Sequence, residues 1–488
     1  MTLGQTGRRD FDAARFGDPM ERCDVKTEER AAGRGLMKRK YPDGPRIKLP
    51  LALIGQMFPA RFPFDPLAFG VDIAREFGDI AHYTLGPLHI YQLNHPDLVR
   101  QILIVEAEKF HKPSIIKRAF RPFAGDGLFT SDDAIWKQQR QLMQPAFHHR
   151  QLAAYGDVMS AHTRSMIDSF ADGDTRDIGA EMMGLTLSIV VKSLFGADLA
   201  RQASEMSRPM LAVLDAVNQR LNSVLRIPSW IPTGRNRRER QAVTELEATL
   251  QVLIRTRRAS TEGRDDLLSV LLAAVDEESG ARMSDRQLRD EVMTLFLAGH
   301  ETTANALTWA WYLLSRHPEV EEKLADELRH VLAGRTPSVS DFAALPYTEM
   351  VIREVLRLYP PAPGLAREPI EDVTIGGYDV PKGSLVVVNI YAIQRDGRFF
   401  PDPERFDPER FAPGWEARIP RYAYLPFGGG PRVCIGNGFA LMEARLILAM
   451  VAQHYKLSLE FNEAIRPIQL VTLRPSAPIR MKLEQRRL

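Results

Sequence analysis

Cysteine is nearly absent. The 488 residues hold two, Cys23 and Cys434, too few and too far apart for a disulfide framework. An excess of one charge is absent as well. The 64 Lys plus Arg against 62 Asp plus Glu leave +2, so no global field draws the chain to nucleic acid or to an anionic membrane. Long apolar runs are missing too. The first 40 residues mix both signs, as in Arg8-Arg9-Asp10 and Lys38-Arg39-Lys40, with no apolar core segment or small-residue cleavage site of a secretion signal. Leu49 to Phe58, the longest early apolar stretch, is interrupted by Pro50, Gly55 and Gln56 and falls far short of the roughly 20 residues that span a bilayer. These absences argue against secretion, nucleic-acid binding and a membrane anchor, and point to the cytoplasm.

What is present is an ordinary globular composition, 44% hydrophobic and 26% charged. Residues 1–44 read as a polar, disordered tail with too little apolar surface to order itself, and 45–488 as one large domain. Ile80 to Leu85 and Leu88 to Leu93 flank Gly86-Pro87, the pattern of a β-hairpin. Most of the next 280 residues carry helical periodicity, broken at Asp172-Gly173-Asp174, at Pro228 to Gly234 and at Gly263. Strand signals return in Val373–Ile375, Tyr378–Val380 and Leu385–Ile390, and a last helix runs from about Gly436 to His454. The expected fold is mainly α with a smaller β-sheet region.

The segment Phe427-Gly428-Gly429-Gly430-Pro431-Arg432-Val433-Cys434-Ile435-Gly436 leads into that last helix. A thiol at a helix mouth feels the positive end of the dipole, and flanking glycines let backbone N–H groups turn toward the sulfur. The ordinary alternative is a small buried Cys beside a tight turn, which three consecutive glycines, Pro431 and Arg432 argue against. No Lys-Ser or Lys-Thr follows the glycines, so a phosphate cradle does not fit. The stretch resembles the cysteine loop F-x-x-G-x-R-x-C-x-G of the cytochrome P450 superfamily, the haem-thiolate monooxygenases, at Phe427, Gly430, Arg432, Cys434 and Gly436. The resemblance implies that Cys434 is the proximal ligand of the iron of haem b. Cys23 has no comparable setting.

Ala298-Gly299-His300-Glu301-Thr302-Thr303 lies within an apolar repeat of Val292, Leu295, Phe296, Gly299, Thr303, Ala306, Leu307 and Ala310, opened by the capping pattern Ser284-x-x-Gln287. The pattern predicts one long helix with a polar notch, where a Thr can bend the backbone. A zinc-protease reading of His300-Glu301 fails because position 304 is Ala304. The notch is similar to the family's oxygen-activating pattern, which implies catalytic roles for Glu301 and Thr302. Glu354 and Arg357 share a helix face and match the family's E-x-x-R pair. Two downstream copies of P-E-R-F, ending in Phe406 and Phe411, offer Arg405 or Arg410 as the third member, with Arg410 nearer the cysteine loop. Trp136 and Arg140 match W-x-x-x-R on a helix that Ser131 or Asp132 could cap, and with Arg367 and Arg432 they are the implied holders of the haem propionates.

The resemblance thus implies a monooxygenase that inserts one atom of O2 into an apolar substrate such as a fatty acid, terpene, steroid or macrolide. Pro113 to Leu128, Met206 to Leu225 and Gln469 to Leu473 are the expected pocket segments. The sequence shows no fused flavin or iron–sulfur module, so electrons are expected from a ferredoxin or flavodoxin with its reductase. Its docking patch would be bordered by Lys137, Arg140, His148-His149-Arg150 and Arg432, with Lys137 and Arg150 as the contacts, since Arg140 and Arg432 are taken up by the propionates. Two other readings stay open at this point: a haem-thiolate isomerase, dehydratase or peroxygenase, and a non-catalytic haem sensor.

Overall fold

The computed structural model describes residues 39–45, 65–196, 209–210, 212–217, 219–220, 231–259, 266–275, 280, 282–461 and 464–486. Cys23, the stretch Leu49 to Phe58, Gly263 and much of Met206 to Leu225 lie outside the described residues, as do the side chains of His149 and Arg150. In chain order the helices are α1 (Pro66–Phe77), α2 (Pro96–Arg100), α3 (Ser114–Ala124), α4 (Asp133–Met143), α5 (His149–Ile167), α6 (Ile178–Phe195), α7 (Gly234–Ala259), α8 (Leu267–Ala273), α9 (Asp285–Gly299), α10 (Glu301–Arg316), α11 (Pro318–Leu332), α12 (Pro346–Leu358), α13 (Ile390–Ile393) and α14 (Asn437–His454). The strands are β1 (Ile80–Leu85), β2 (Leu88–Leu93), β3 (Phe110–His111), β4 (Thr175–Asp177), β5 (Leu365–Pro369), β6 (Val373–Ile375), β7 (Tyr378–Val380), β8 (Leu385–Val388), β9 (Tyr455–Leu459), β10 (Pro467–Gln469), β11 (Leu473–Pro475) and β12 (Arg480–Gln485).

Gly86 turns the chain with a left-handed φ of 60°, and β1 and β2 pair antiparallel with Ile80 opposite Leu93. That hairpin is the edge of a five-stranded sheet ordered β1-β2-β8-β5-β3, in which β2 and β8 run parallel and the other neighbours antiparallel. The run Leu385 to Ile390 leaves the sheet after Val388, because the Asn389 side chain accepts the Ala392 N–H and starts α13. A three-stranded sheet β4-β12-β9 and two hairpins, β6-β7 and β10-β11, complete the minor β component.

The helical body is centred on α10. Nearly every residue from Thr303 to Leu314 is buried, as befits a helix apolar on all sides, and α10 packs against α6, α11, α12 and α14. Its parent pattern predicts one helix, whereas the structure splits it at His300 (φ −99°, ψ −48°) into α9 and α10. Two side chains account for the break. Thr302 Oγ1 donates back to the Ala298 carbonyl at 2.9 Å, and Thr186 Oγ1 donates across to the His300 carbonyl at 3.0 Å, loosening the ladder there. Ser284 and Gln287 form the expected capping box.

The polar tail is expected to run to residue 44, but residues 39–45 are fastened to the sheets. The His82 N–H donates to the Asp43 carbonyl (3.1 Å), the Asp379 N–H donates to the Lys40 carbonyl (2.8 Å), and the Tyr41 ring stacks 4.8 Å from His82. One aromatic ring and backbone pairing order a stretch that composition assigns to the tail. Among the described residues no helix is long and apolar enough to cross a membrane.

Candidate active site

Gly428 (φ 72°) and Gly430 (φ 73°) both take left-handed backbone in the cysteine loop. A Cβ on Gly430 would lie 2.1 Å from the Leu103 carbonyl oxygen, so only glycine lets the loop lie on that segment. The Cys434 N–H donates to the Phe427 carbonyl at 3.1 Å, and Phe427 itself is half-buried against the core. Cys434 is accessible although protein surrounds it closely, which places the thiol on the wall of an interior hollow. Burial pushes its pKa up, against the Gly436 N–H and the positive charge of Arg140, which pull it down. Arg140 Nη1 donates to the Val433 carbonyl at 2.8 Å, so this guanidinium braces the loop next to the thiol.

Above that loop sits a cluster of cations around one carboxylate. Asp132 lies 2.9 Å from Lys117 Nζ and 2.7 Å from Arg432 Nη1, and it accepts the Lys112 backbone N–H at 3.1 Å. It stands at the start of α4, yet its side chain caps nothing; Ser131 donates to Gln139 instead. The Trp136 ring faces Arg432 at 5.3 Å and Lys112 at 6.0 Å. Desolvation and the charges of Arg432 and Arg367 bring the Lys112 pKa down to about 7 against the pull of Asp132. Desolvation and Arg432 bring Arg367 down to about 10. Arg432 Nη1 touches Asp132 without good hydrogen-bond geometry. Four cations, Lys112, Lys117, Arg367 and Arg432, gather around Asp132, with Glu291 adding its pull on Lys112 alone, so the group is short of anions.

The break between α9 and α10 forms the third part. Ala298 is exposed, and Leu295 and Thr302 half-buried, where the neighbouring residues 290–294, 296–297, 300–301 and 303–314 are buried, so this stripe faces interior space. Glu301 is buried: its Oε1 accepts from Thr472 Oγ1 and from Arg474 Nε, the latter at 2.7 Å, and Oε2 has no partner among the described residues. Asn305 Nδ2 donates to Thr472 Oγ1 at 3.1 Å. Thr303 faces Glu443 of α14, close enough to influence it but without a hydrogen bond of good geometry. Glu443 lies six residues into α14, roughly 9 Å along the axis. The polar break and the cysteine loop therefore border one region of the molecule.

The family model described as Cytochrome P450 matches residues 45–483. The chain belongs to the cytochrome P450 family. It is 38% identical to a cyclooctatin synthase of Streptomyces melanosporofaciens, over 84% of this chain and 89% of that one. It is 37% identical to the cyclooctat-9-en-7-ol 5-monooxygenase of the same organism, over 78% and 83%, and 35% identical to a pentalenene oxygenase of Streptomyces avermitilis, over 84% and 91%. The protein is a P450 monooxygenase with haem b as its cofactor, acting on an apolar substrate with O2 and electrons from a redox partner.

The residues present fit that group. Haem b carries two carboxylates and an iron cation; the anion-poor cluster offers positive charge for the former, and a coordinating cation deprotonates the thiol that burial alone would keep protonated. In this P450 the sequence-derived candidates fall into three places. Trp136, Arg367 and Arg432 share the cation cluster. Arg140 stands apart from it, with Phe427 and Cys434 in the loop. Glu301 and Thr302 lie at the helix break.

Beneath the loop, Arg357 donates to both oxygens of Glu354 (2.7 and 2.8 Å) and to the carbonyls of Gln394, Pro403 and Arg405. Arg410 Nε reaches Glu354 Oε1 at 3.3 Å, so Arg410 is the third side chain, and Arg405 contributes its backbone. Sequence reasoning missed Lys112 and Arg474, and it reached Lys117 and Thr472 only as members of the expected pocket segments Pro113 to Leu128 and Gln469 to Leu473. Lys112 precedes Pro113 with nothing local to mark it, and Arg474 meets Glu301 across 173 residues.

Proposed function

We propose that this P450 oxidises a cyclic, largely hydrocarbon substrate of the terpene type, in the cytoplasm, with electrons from a ferredoxin or flavodoxin. The observation that carries the site assignment is the accessible thiol of Cys434, the one cysteine among the described residues, set in an interior wall beside an anion-poor cation cluster. Cys434 is the iron ligand. Trp136, Arg367, Arg432 and Lys112 hold the propionates, Phe427 fixes the loop through its carbonyl, and Arg140 braces it through Val433. Haem b so held supplies the binding and reductive activation of O2, one oxygen atom entering the substrate and the other leaving as water.

Protons for that water come from the chain. Thr302 Oγ1 is oriented by its bond to Ala298, with its lone pairs toward the hollow. Arg474 and Thr472 fix Glu301 through Oε1, leaving Oε2 as the atom that takes up and passes a proton. This paired acid and alcohol favours a monooxygenase over a haem sensor. The substrate class is supported by the apolar stripe of α9 and by the relatives that oxidise cyclooctat-9-en-7-ol and pentalenene. The donor class is supported by Lys137, exposed on the same helix as Trp136 and Arg140. The test is turnover of the purified holoenzyme with pentalenene, O2, ferredoxin and its reductase. Labelled O2 should place one labelled atom in the product, and no labelled product from any cyclic terpene tried would overturn the substrate reading.

A further inference from the structure

Glu291 lies on the stripe of α9 that faces the hollow: 291, 295 and 298 are spaced i, i+4 and i+7, and Thr302 in α10 continues it past the break. Ala298 is exposed, whereas Glu291 is completely buried. The hollow therefore ends between them, and the segment 125–131 is what closes it. Two glycines allow the approach. A Cβ on Gly125 would lie 2.1 Å from Asp290 Oδ1, and one on Gly127 would lie 2.4 Å from Thr294 Oγ1 and 2.7 Å from the Asp290 carbonyl oxygen.

The segment is then held by its backbone. The Asp126 N–H donates to Asp290 Oδ2 at 2.9 Å and the Leu128 N–H to Glu291 Oε2 at 2.8 Å. On the far side of the same residue, Lys112 Nζ donates to the Leu128 carbonyl at 2.8 Å and to the Ser131 carbonyl at 2.6 Å. Leu128 is thus gripped at N–H and C=O by two side chains of opposite sign. Burial pushes Glu291 up to about 7, and Glu291 Oε1 has no partner among the described residues. A buried acid beside a half-buried amine is costly unless the two hold something in place. The next residue, Phe129, is 43% exposed and meets Phe120 edge-on at 4.7 Å, so the gripped segment carries an exposed aromatic ring.

We propose that Glu291 and Lys112 are positioning residues that fix the end wall of the substrate chamber through Leu128, and so set which ligand sizes fit and which carbon is oxidised. The proposal rests on the haem-site reading above. Because Lys112 also belongs to the cation cluster, the same side chain couples that cluster to the pocket wall.

The test uses holoenzyme variants at Glu291 and Gly127, read by hydrogen exchange of segment 125–131 and by spectral titration with imidazole and 4-phenylimidazole. In Glu291→Leu the segment should exchange about tenfold faster, the factor carried by one hydrogen bond to a charged group. Affinity for 4-phenylimidazole should fall about fivefold or more while imidazole, too small to reach the wall, stays within about twofold. Glu291→Gln keeps an oxygen for the Leu128 N–H and should stay near wild type. Gly127→Ala displaces the same segment without touching Glu291, should behave like Glu291→Leu, and carries the test if that variant does not load haem. Wild-type exchange and wild-type ligand discrimination in Glu291→Leu, or in Gly127→Ala standing in for it, would overturn the proposal, as would Glu291→Gln behaving like Glu291→Leu. Failure of the wild-type protein to bind imidazole at all would instead overturn the haem-site reading.

Discussion

Thr302 and Glu301 are neighbours in sequence with different neighbours in space. The hydroxyl is held by the Ala298 carbonyl at the end of α9, and the carboxylate is held by Arg474 and Thr472 from far along the chain. The proposed tasks follow from that difference: Thr302 lies on the half-buried stripe, and Glu301 reaches back to a strand edge where Arg474 is partly exposed. Thr302→Ala should continue to consume reducing equivalents but release them as hydrogen peroxide, with product formation down about 10²- to 10⁴-fold. Simultaneous assay of reductant, peroxide and product checks this, and unchanged coupling would remove Thr302 from proton delivery. The sequence shows Glu301 and Thr302 because helix periodicity makes a polar pair conspicuous in an apolar face. It shows nothing of Arg474, whose partner is fixed only when β11 meets α10.

At the scale of elements, α12 and α14 support the site from below. Glu354 and Arg357 are completely buried, and the pair binds three backbone carbonyls and Arg410. Removing one partner of such a pair strands a buried charge and costs roughly 3 to 5 kcal/mol. Glu354→Ala should therefore yield little haem-loaded protein, checked by the haem-to-protein absorbance ratio, and a stable, fully loaded variant would contradict the role. Glu443 of α14 makes a second prediction. Desolvation raises its pKa from 4.5 to about 8, opposed by Thr303. The unfolded chain loses this proton near the lower value and the folded one near the higher, so the folded state holds the extra proton between them and stability falls as pH rises through that window. Glu443→Gln should match wild type near about pH 5 and unfold at a higher temperature near about pH 8. Equal pH slopes in the two proteins would show that Glu443 does not titrate in this range. The elements themselves were largely legible: the β1–β2 hairpin, β6, β7 and α14 follow from alternation, glycine turns and periodicity. The split of α9 from α10 was not, because it depends on Thr186 reaching across from α6. Nor was the ordering of residues 39–45, which depends on Tyr41 finding His82.

At the scale of the whole molecule, a net charge of +2 leaves recognition of an acidic electron donor to local charge. Lys137 is exposed on α4, on the side where Arg140 braces the cysteine loop. Exposed charge pairs are screened beyond a Debye length of about 8 to 10 Å at moderate salt. Lys137→Glu should slow reduction by the donor and flatten its salt dependence in stopped-flow measurements, and rates equal to wild type at every salt would place docking elsewhere. We infer that the thiolate of Cys434 makes this chain a haem-thiolate enzyme. The most direct test of this is the spectrum of the reduced carbon monoxide complex in wild type, Cys23→Ser and Cys434→Ser. Wild type and Cys23→Ser should share the red-shifted Soret band of thiolate ligation, and Cys434→Ser should lose it while keeping its fold; a Cys434→Ser protein that retains that band would contradict the assignment.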